Sequence, residues 1–127
     1  MSLTNTFETT TLTWLFTTGS ATRPTAWYLG LFTSDPTETG SAGTEVSGGG
    51  YVRKAVTFTV SGNEATNSAA IEWDAATASW GTVTHIAVMD ASTGGNMIAS
   101  NALTIAKAIA TDDIIRVPAG DLDITLD

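Results

Sequence analysis

Residues 82–102 read TVTHIAVMDASTGGNMIASNA. Thr82–Asp90 is near-continuous in apolar character through Ile86, Ala87, Val88 and Met89, as a well-covered strand requires. Ser92-Thr93-Gly94-Gly95-Asn96 has the small residues and paired glycines of a hairpin turn. Met97–Ala102 is then placed to return antiparallel. This strand–turn–strand unit predicts an antiparallel β architecture, and the flanking sequence repeats the same pattern.

Upstream, Ala26–Phe32 (AWYLGLF) is apolar on both faces and reads as a buried strand. Thr33–Gly50 reads as a long loop, with a turn started by Asp35-Pro36 and a flexible end at Gly48-Gly49-Gly50. Loops of this length are usually functional or disordered. Tyr51–Val60 alternates, with Val52, Lys54, Val56, Phe58 and Val60 on one face and Thr57 and Thr59 on the other. Ser61-Gly62-Asn63 is a turn. Ala69–Trp73 puts Ile71 and Trp73 on one face, and Ala75–Ser79 is a small-residue connection. Downstream, Leu103–Ala110 is ambiguous in period, but its neighbours favour strand. Thr111-Asp112-Asp113 is a turn, Ile114–Val117 a strand, and Pro118-Ala119-Gly120 a turn. The chain ends with Leu122, Ile124 and Leu126 alternating against Asp121, Asp123, Thr125 and Asp127, the cleanest period of two. Seven or eight strands separated by turn residues predict a mainly β chain, an antiparallel β-sandwich or jelly-roll-like single domain.

The first twenty residues differ. Asn5 and Glu8 stand at capping-box spacing. Phe7, Thr11, Trp14 and Leu15 fall at i, i+4, i+7 and i+8, and Gly19 is a C-terminal stop. Against this, Thr9, Thr10, Thr11 and Thr13 are β-branched and poor helix formers. The balance predicts a short helix over 5–17, which must dock on something because so short a helix is marginal alone. Residues 1–20 are therefore read as an N-terminal arm and 21–127 as the sandwich.

Composition bounds the chemistry. The 127 residues carry 13 acidic and five basic side chains, a net charge of −8, and about one residue in five is Thr. That balance argues against nucleic acid or an anionic membrane as partner, since both are gripped by Lys and Arg. No apolar run is long enough to span a bilayer, and no signal peptide is evident. Without cysteine there is no disulfide, thiolate catalysis or Cys-ligated zinc.

No catalytic constellation emerges. His85 is the lone histidine and sits mid-strand, with no Gly-x-Ser-x-Gly or His-Glu-x-x-His nearby, so it reads as a structural or interface residue. Asp121 and Asp123 share a strand face, and Asp112-Asp113 sit in a turn. Without a recognisable ligand loop they read as solubilising charges on an edge, not as a calcium site. Trp27 and Trp73 lie in strands and read as core. Trp80, before Gly81, suits core or surface, and Trp14 lies on the helix. Gly48–Gly50 lacks the Gly-Lys-Ser/Thr continuation of a phosphate loop. The expectation is a protein that is not an enzyme and carries no cofactor and no metal.

Three segments bear a resemblance. They are Tyr28–Phe58 (YLGLFTSDPTETGSAGTEVSGGGYVRKAVTF), Ala76–Thr104 (ATASWGTVTHIAVMDASTGGNMIASNALT) and Ala119–Asp127 (AGDLDITLD). Together they resemble small structural proteins of tailed bacteriophages and prophages, variously labelled tail fibre, head decoration or virion proteins. The resemblance implies a virion component made in the host cytoplasm. Small size, acidity and the lack of a fibrous repeat point to a head decoration (cement) protein, a homotrimer on the outer surface of the head bound to the major capsid protein. The alternative is a tail or tail-fibre component, among other tail proteins and contacting host-surface glycans. The expected contacts lie in the N-terminal segment and the 33–50 loop, with Phe7, Trp14, Leu15, Asp35, Pro36, Glu45 and Trp80 as candidates.

Overall fold

The structure is a computed structural model and describes residues 1–126. Its elements in chain order are β1 (Ser2–Leu3), α1 (Asn5–Phe16), β2 (Tyr28–Phe32), β3 (Lys54–Ala55), β4 (Phe58–Ser61), β5 (Glu64–Asn67), β6 (Ile71–Glu72), β7 (Gly81–Met89), β8 (Met97–Ile109), β9 (Arg116–Val117) and β10 (Asp123–Thr125). The chain is mainly β, with one short N-terminal helix. Every strand pairing is antiparallel. The terminal alternation is seen in β10; Asp127 lies outside the described residues.

The hairpin β7–β8 forms the centre of a five-stranded sheet, ordered β1-β8-β7-β2-β3. β10-β5-β4 make a three-stranded sheet and β6-β9 a two-stranded one. Strand side chains alternate between faces, and this alternation divides the apolar residues of the large sheet. Leu29 and Leu31 of β2 and Val83, Ile86 and Val88 of β7 join Val56, Ile71, Trp73, Ile115 and Leu122 in one core shared with the smaller sheets. Phe32, Ala87, Met89 and Met97 form a second cluster, with Tyr28 against it. This explains the near-continuous apolar run in β7: both of its faces are buried.

The second cluster needs a cover, and the 33–50 segment is folded against the sheet. Pro36 is fully buried. Gly40 lies so close to the body that an added Cβ would stand 3.0 Å from Met97 Cβ and 3.1 Å from Thr4 Cγ2. Residues 44–46 run beside β2, with Val46 N–H donating to Leu31 O at 2.9 Å and Thr33 N–H to Thr44 O at 2.8 Å. The glycine triplet is not a flexible end. Gly49 O accepts from Trp80 Nε1–H at 2.8 Å and from Thr77 N–H at 2.9 Å. All three glycines have positive φ, which glycine adopts without the strain a Cβ imposes.

Two further expectations are corrected. Tyr51–Val60 is not one alternating strand. It breaks into β3 in the large sheet and β4 in the three-stranded sheet, with buried Val56 at the crossing. The crossing resets the phase of the alternation: Tyr51 and Arg53 turn inward before it, Val56 and Phe58 after it. Val52 is therefore exposed, while Val60 follows Phe58 along one apolar groove and is exposed at the groove's outer end. Asn5 is also not the helix cap. Thr4 holds that position, but its hydroxyl donates to Met97 O at 2.7 Å and makes no cap. The pull of the sheet on a side chain buried to 1% exposure outweighs a local capping bond.

Candidate interaction surfaces

α1 runs along the outside of the domain, and none of its residues is buried. Its threonine hydroxyls bond back along the helix. Thr10 Oγ1–H donates to Thr6 O at 2.9 Å and Thr11 Oγ1–H to Phe7 O at 2.8 Å. Such back-bonding satisfies each hydroxyl within the helix, at a slight cost to helix stability. Phe7, Thr10, Thr11 and Thr13 are half-buried and mark the side toward the body. With Trp14 they border shallow grooves against the returning segment Ala21–Pro24.

The opposite side of α1 carries Leu12, Leu15 and Phe16, at i, i+3 and i+4, one contiguous stripe. These are 57%, 55% and 77% exposed. The helix is thus apolar on the face it turns to water. The sequence spacing set Leu15 on one face with Phe7, Thr11 and Trp14. The structure parts them, with Phe7 and Thr11 toward the body and Leu15 outward beside Leu12 and Phe16. The sequence reading did not single out Leu12 and Phe16, although their i, i+3, i+4 spacing was the available signal.

The expected contact residues of the 33–50 segment divide in two. Asp35 is exposed; its Oδ1 accepts from Thr37 N–H at 2.8 Å and lies 3.8 Å from His85 Nε2. His85 Nδ1 in turn stands 2.8 Å from Thr84 Oγ1. Pro36 and Trp80 are buried and have no surface to offer a partner. Trp80 packs edge-on against Tyr51, ring centroids 5.5 Å apart. Glu45 is half-buried beneath Arg53, a residue the sequence did not single out. Arg53 Nε–H donates to Glu45 Oε1 and Nη2–H to Oε2, both at 2.8 Å, while Nη1–H reaches Ala91 O at 2.7 Å and Gly94 O at 2.8 Å. The Tyr51 hydroxyl donates to Glu45 Oε1 at 2.8 Å and accepts from Leu31 N–H at 2.9 Å.

This buried knot is electrostatically closed. Burial alone would raise the Glu45 pKa, but hydrogen bonds from Arg53 and Tyr51 and the guanidinium charge outweigh it and hold the carboxyl below its ordinary value. The bond to Glu45 raises Arg53 against the opposing effect of burial. Burial pushes the Tyr51 phenol far up, so it stays a neutral donor. The group therefore locks residues 45–53 to the β7–β8 turn and leaves no free acid or base. Among the described residues, no three His, Asp or Glu side chains are grouped to hold a metal ion.

The strand β8 has an open outer edge. β1 covers it only at Ala99 and Ser100, and beyond them the chain bulges between the pairs His85–Ala102 and Val83–Lys107, leaving Ile105 73% exposed. A protein-family model described as Podophage GP4 fiber I protein gp80 matches residues 2–125. No curated protein matches the chain.

Proposed function

This chain belongs to the podophage fiber I protein family, and we propose that it is a subunit of a phage tail fibre that works by packing against companions and carries out no reaction. The observation that carries this reading is the family match over nearly the whole chain. The head decoration expectation yields to the fibre alternative, because the family description names a fibre. The surface agrees with an assembled subunit. A chain of this mass, 13.1 kDa, exposes 7218 Å² of surface. A compact monomer of that mass exposes about 6,400 Å². The difference is consistent with surface left for partners. The partners proposed are copies of the chain and other tail proteins, with no nucleic acid and no membrane. Gold-labelled antibody against the purified chain, applied to intact particles, tests the placement. Label on tail appendages is expected; label spread over the head shell would return the decoration reading.

A further inference from the structure

We infer that the outer edge of β4 is where two copies of this chain join, as an antiparallel β4–β4 pair centred on Thr59. This deepens the fibre reading, which needs copies to meet, by naming the edge and its occupant. Three observations support it.

The first is a set of unpaired backbone groups. β4 is an edge strand of the β10-β5-β4 sheet. Thr57 O accepts from Ser68 N–H at 2.9 Å, and the register Thr59↔Thr66 and Ser61↔Glu64 continues that phase. In an antiparallel ladder alternate residues turn their N–H and C=O toward the partner strand, and the residues between turn theirs away. The other side of β5 keeps the same alternation, with Asn67 N–H donating to Leu122 O and Leu126 N–H to Asn63 O. Phe58 and Val60 therefore aim their N–H and C=O outward, and among the described residues these four groups find no hydrogen-bond partner.

The second is that these groups are self-complementary. Such a row is satisfied by an extended strand, and a second β4 fits it by symmetry. With a two-fold axis at Thr59, Phe58 stands opposite Val60 of the second copy, and Val60 opposite its Phe58. Each pair exchanges two hydrogen bonds, so every free group is used. Thr59 meets its own copy across the axis, a favourable cross-strand pair. Val60 lines an apolar groove with Trp27, Phe58, Ala65 and Ile124. The pairing sets the second copy's Phe58 beside Val60, which is 76% exposed in the single chain.

The third is that this edge is unguarded. Proteins blunt exposed edges with charges, prolines, bulges or very short strands. The other sheet edges among the described residues carry such guards: Lys54 on β3, Asp123 on β10, Glu72 on β6, Arg116 on β9 and Lys107 on the uncovered length of β8. β1 is two residues long. β4, Phe-Thr-Val-Ser, has no charge and no proline, and its register with β5 runs without a bulge.

Sedimentation equilibrium of the purified chain tests this. The wild type is expected to form dimers, more tightly as salt screens its charge of −8. V60K, which puts a lysine on the edge, is expected to weaken association roughly tenfold, the worth of one or two net hydrogen bonds. Its far-ultraviolet dichroism and unfolding midpoint at monomeric concentration are expected to match wild type, since Val60 is exposed and its backbone turns away from β5. I105K, on the β8 edge, is expected to leave association unchanged. A second readout uses the absence of cysteine. Opposed residues that exchange no hydrogen bonds stand about 4.5 Å apart at Cα, within disulfide reach. T59C is therefore expected to form a disulfide-linked dimer under mild oxidation, and T57C is not. The inference fails if the wild type is monomeric at millimolar concentration, if salt weakens association, if V60K associates like wild type, or if T57C crosslinks and T59C does not. In particles with a photo-reactive residue in place of Thr59, a band of two joined copies is expected; a band joining the chain to a different protein overturns the inference. Gold label on the tail together with a monomeric chain separates failure of this inference from failure of the fibre reading.

Discussion

Arg53 holds Glu45 in a two-pronged grip, Nε to Oε1 and Nη2 to Oε2, both at 2.8 Å, while its third nitrogen bonds the carbonyls of Ala91 and Gly94. Arg53 is nearly buried, with 7% of its side chain exposed, and Glu45 keeps 25%. Removing one partner of such a pair strands the other, at roughly 2–4 kcal/mol, the lower end reflecting the partial exposure of Glu45. Arg53→Met is expected to lose that much in urea unfolding. Arg53→Lys is expected to lose a large part of it, since an ammonium cannot hold a fork and two carbonyls at once. A loss within 0.5 kcal/mol, on the order of an ordinary surface substitution, would contradict this.

Acid is expected to weaken the fold through the same pair. Glu45 titrates in the folded state below its ordinary 4.5. A depressed carboxylate contributes stability that is fully present above its unfolded pKa and is lost as pH falls through the folded one. The stability of wild type should therefore drop below about pH 4.5 more steeply than that of Glu45→Gln, which has no proton to take up. Parallel pH profiles for the two proteins would show that Glu45 adds nothing to acid sensitivity.

Gly49 and Gly48 separate backbone strain from collision. Both have positive φ, +60° and +75°. At Gly48 an added Cβ meets nothing within 4 Å, but at Gly49 it would stand 2.8 Å from the Trp80 ring and 2.9 Å from Ala78 O. Gly48→Ala is expected to cost about 1 kcal/mol, the strain of a left-handed L-residue. Gly49→Ala adds overpacking, for about 2–4 kcal/mol in all, with a shift in tryptophan fluorescence. Equal unfolding midpoints would contradict the packing described for Trp80.

Thr4 ties the root of α1 to the large sheet by its hydroxyl bond to Met97 O. Thr4→Val keeps the shape and loses the bond, at about 1–2 kcal/mol. Faster amide exchange in the first turn of α1 is expected beside the lower stability. Unchanged exchange there would mean that the backbone bond from Thr4 N–H to Ile98 O, 2.9 Å, anchors the helix alone.

The hairpin β7–β8, strand β2 and the terminal alternation were legible because each carries its own local signal: a turn, an apolar run, a period of two. The helix was legible in position, since Phe7, Thr11 and Trp14 kept helical spacing through the threonines. The Val56 crossing was not, because a strand that changes sheets keeps its alternating residues while its partners change. The order in the 33–50 segment was hidden for a similar reason. Its glycines read as looseness, whereas Gly49 is a close-approach site for an indole 31 positions away. Pro36 read as part of an exposed turn and Trp80 suited core or surface; both are core by contacts that no local pattern reveals. The outward stripe was half visible: Leu15 was singled out, and Leu12 and Phe16 were not.

Averaged cryo-electron microscopy of intact particles tests the placement in a fibre most directly. The fibre reading requires tail-appendage density into which the five-stranded sheet and its covering 33–50 segment fit in repeated copies. Density for this domain on the head shell, or a particle with none, would contradict it.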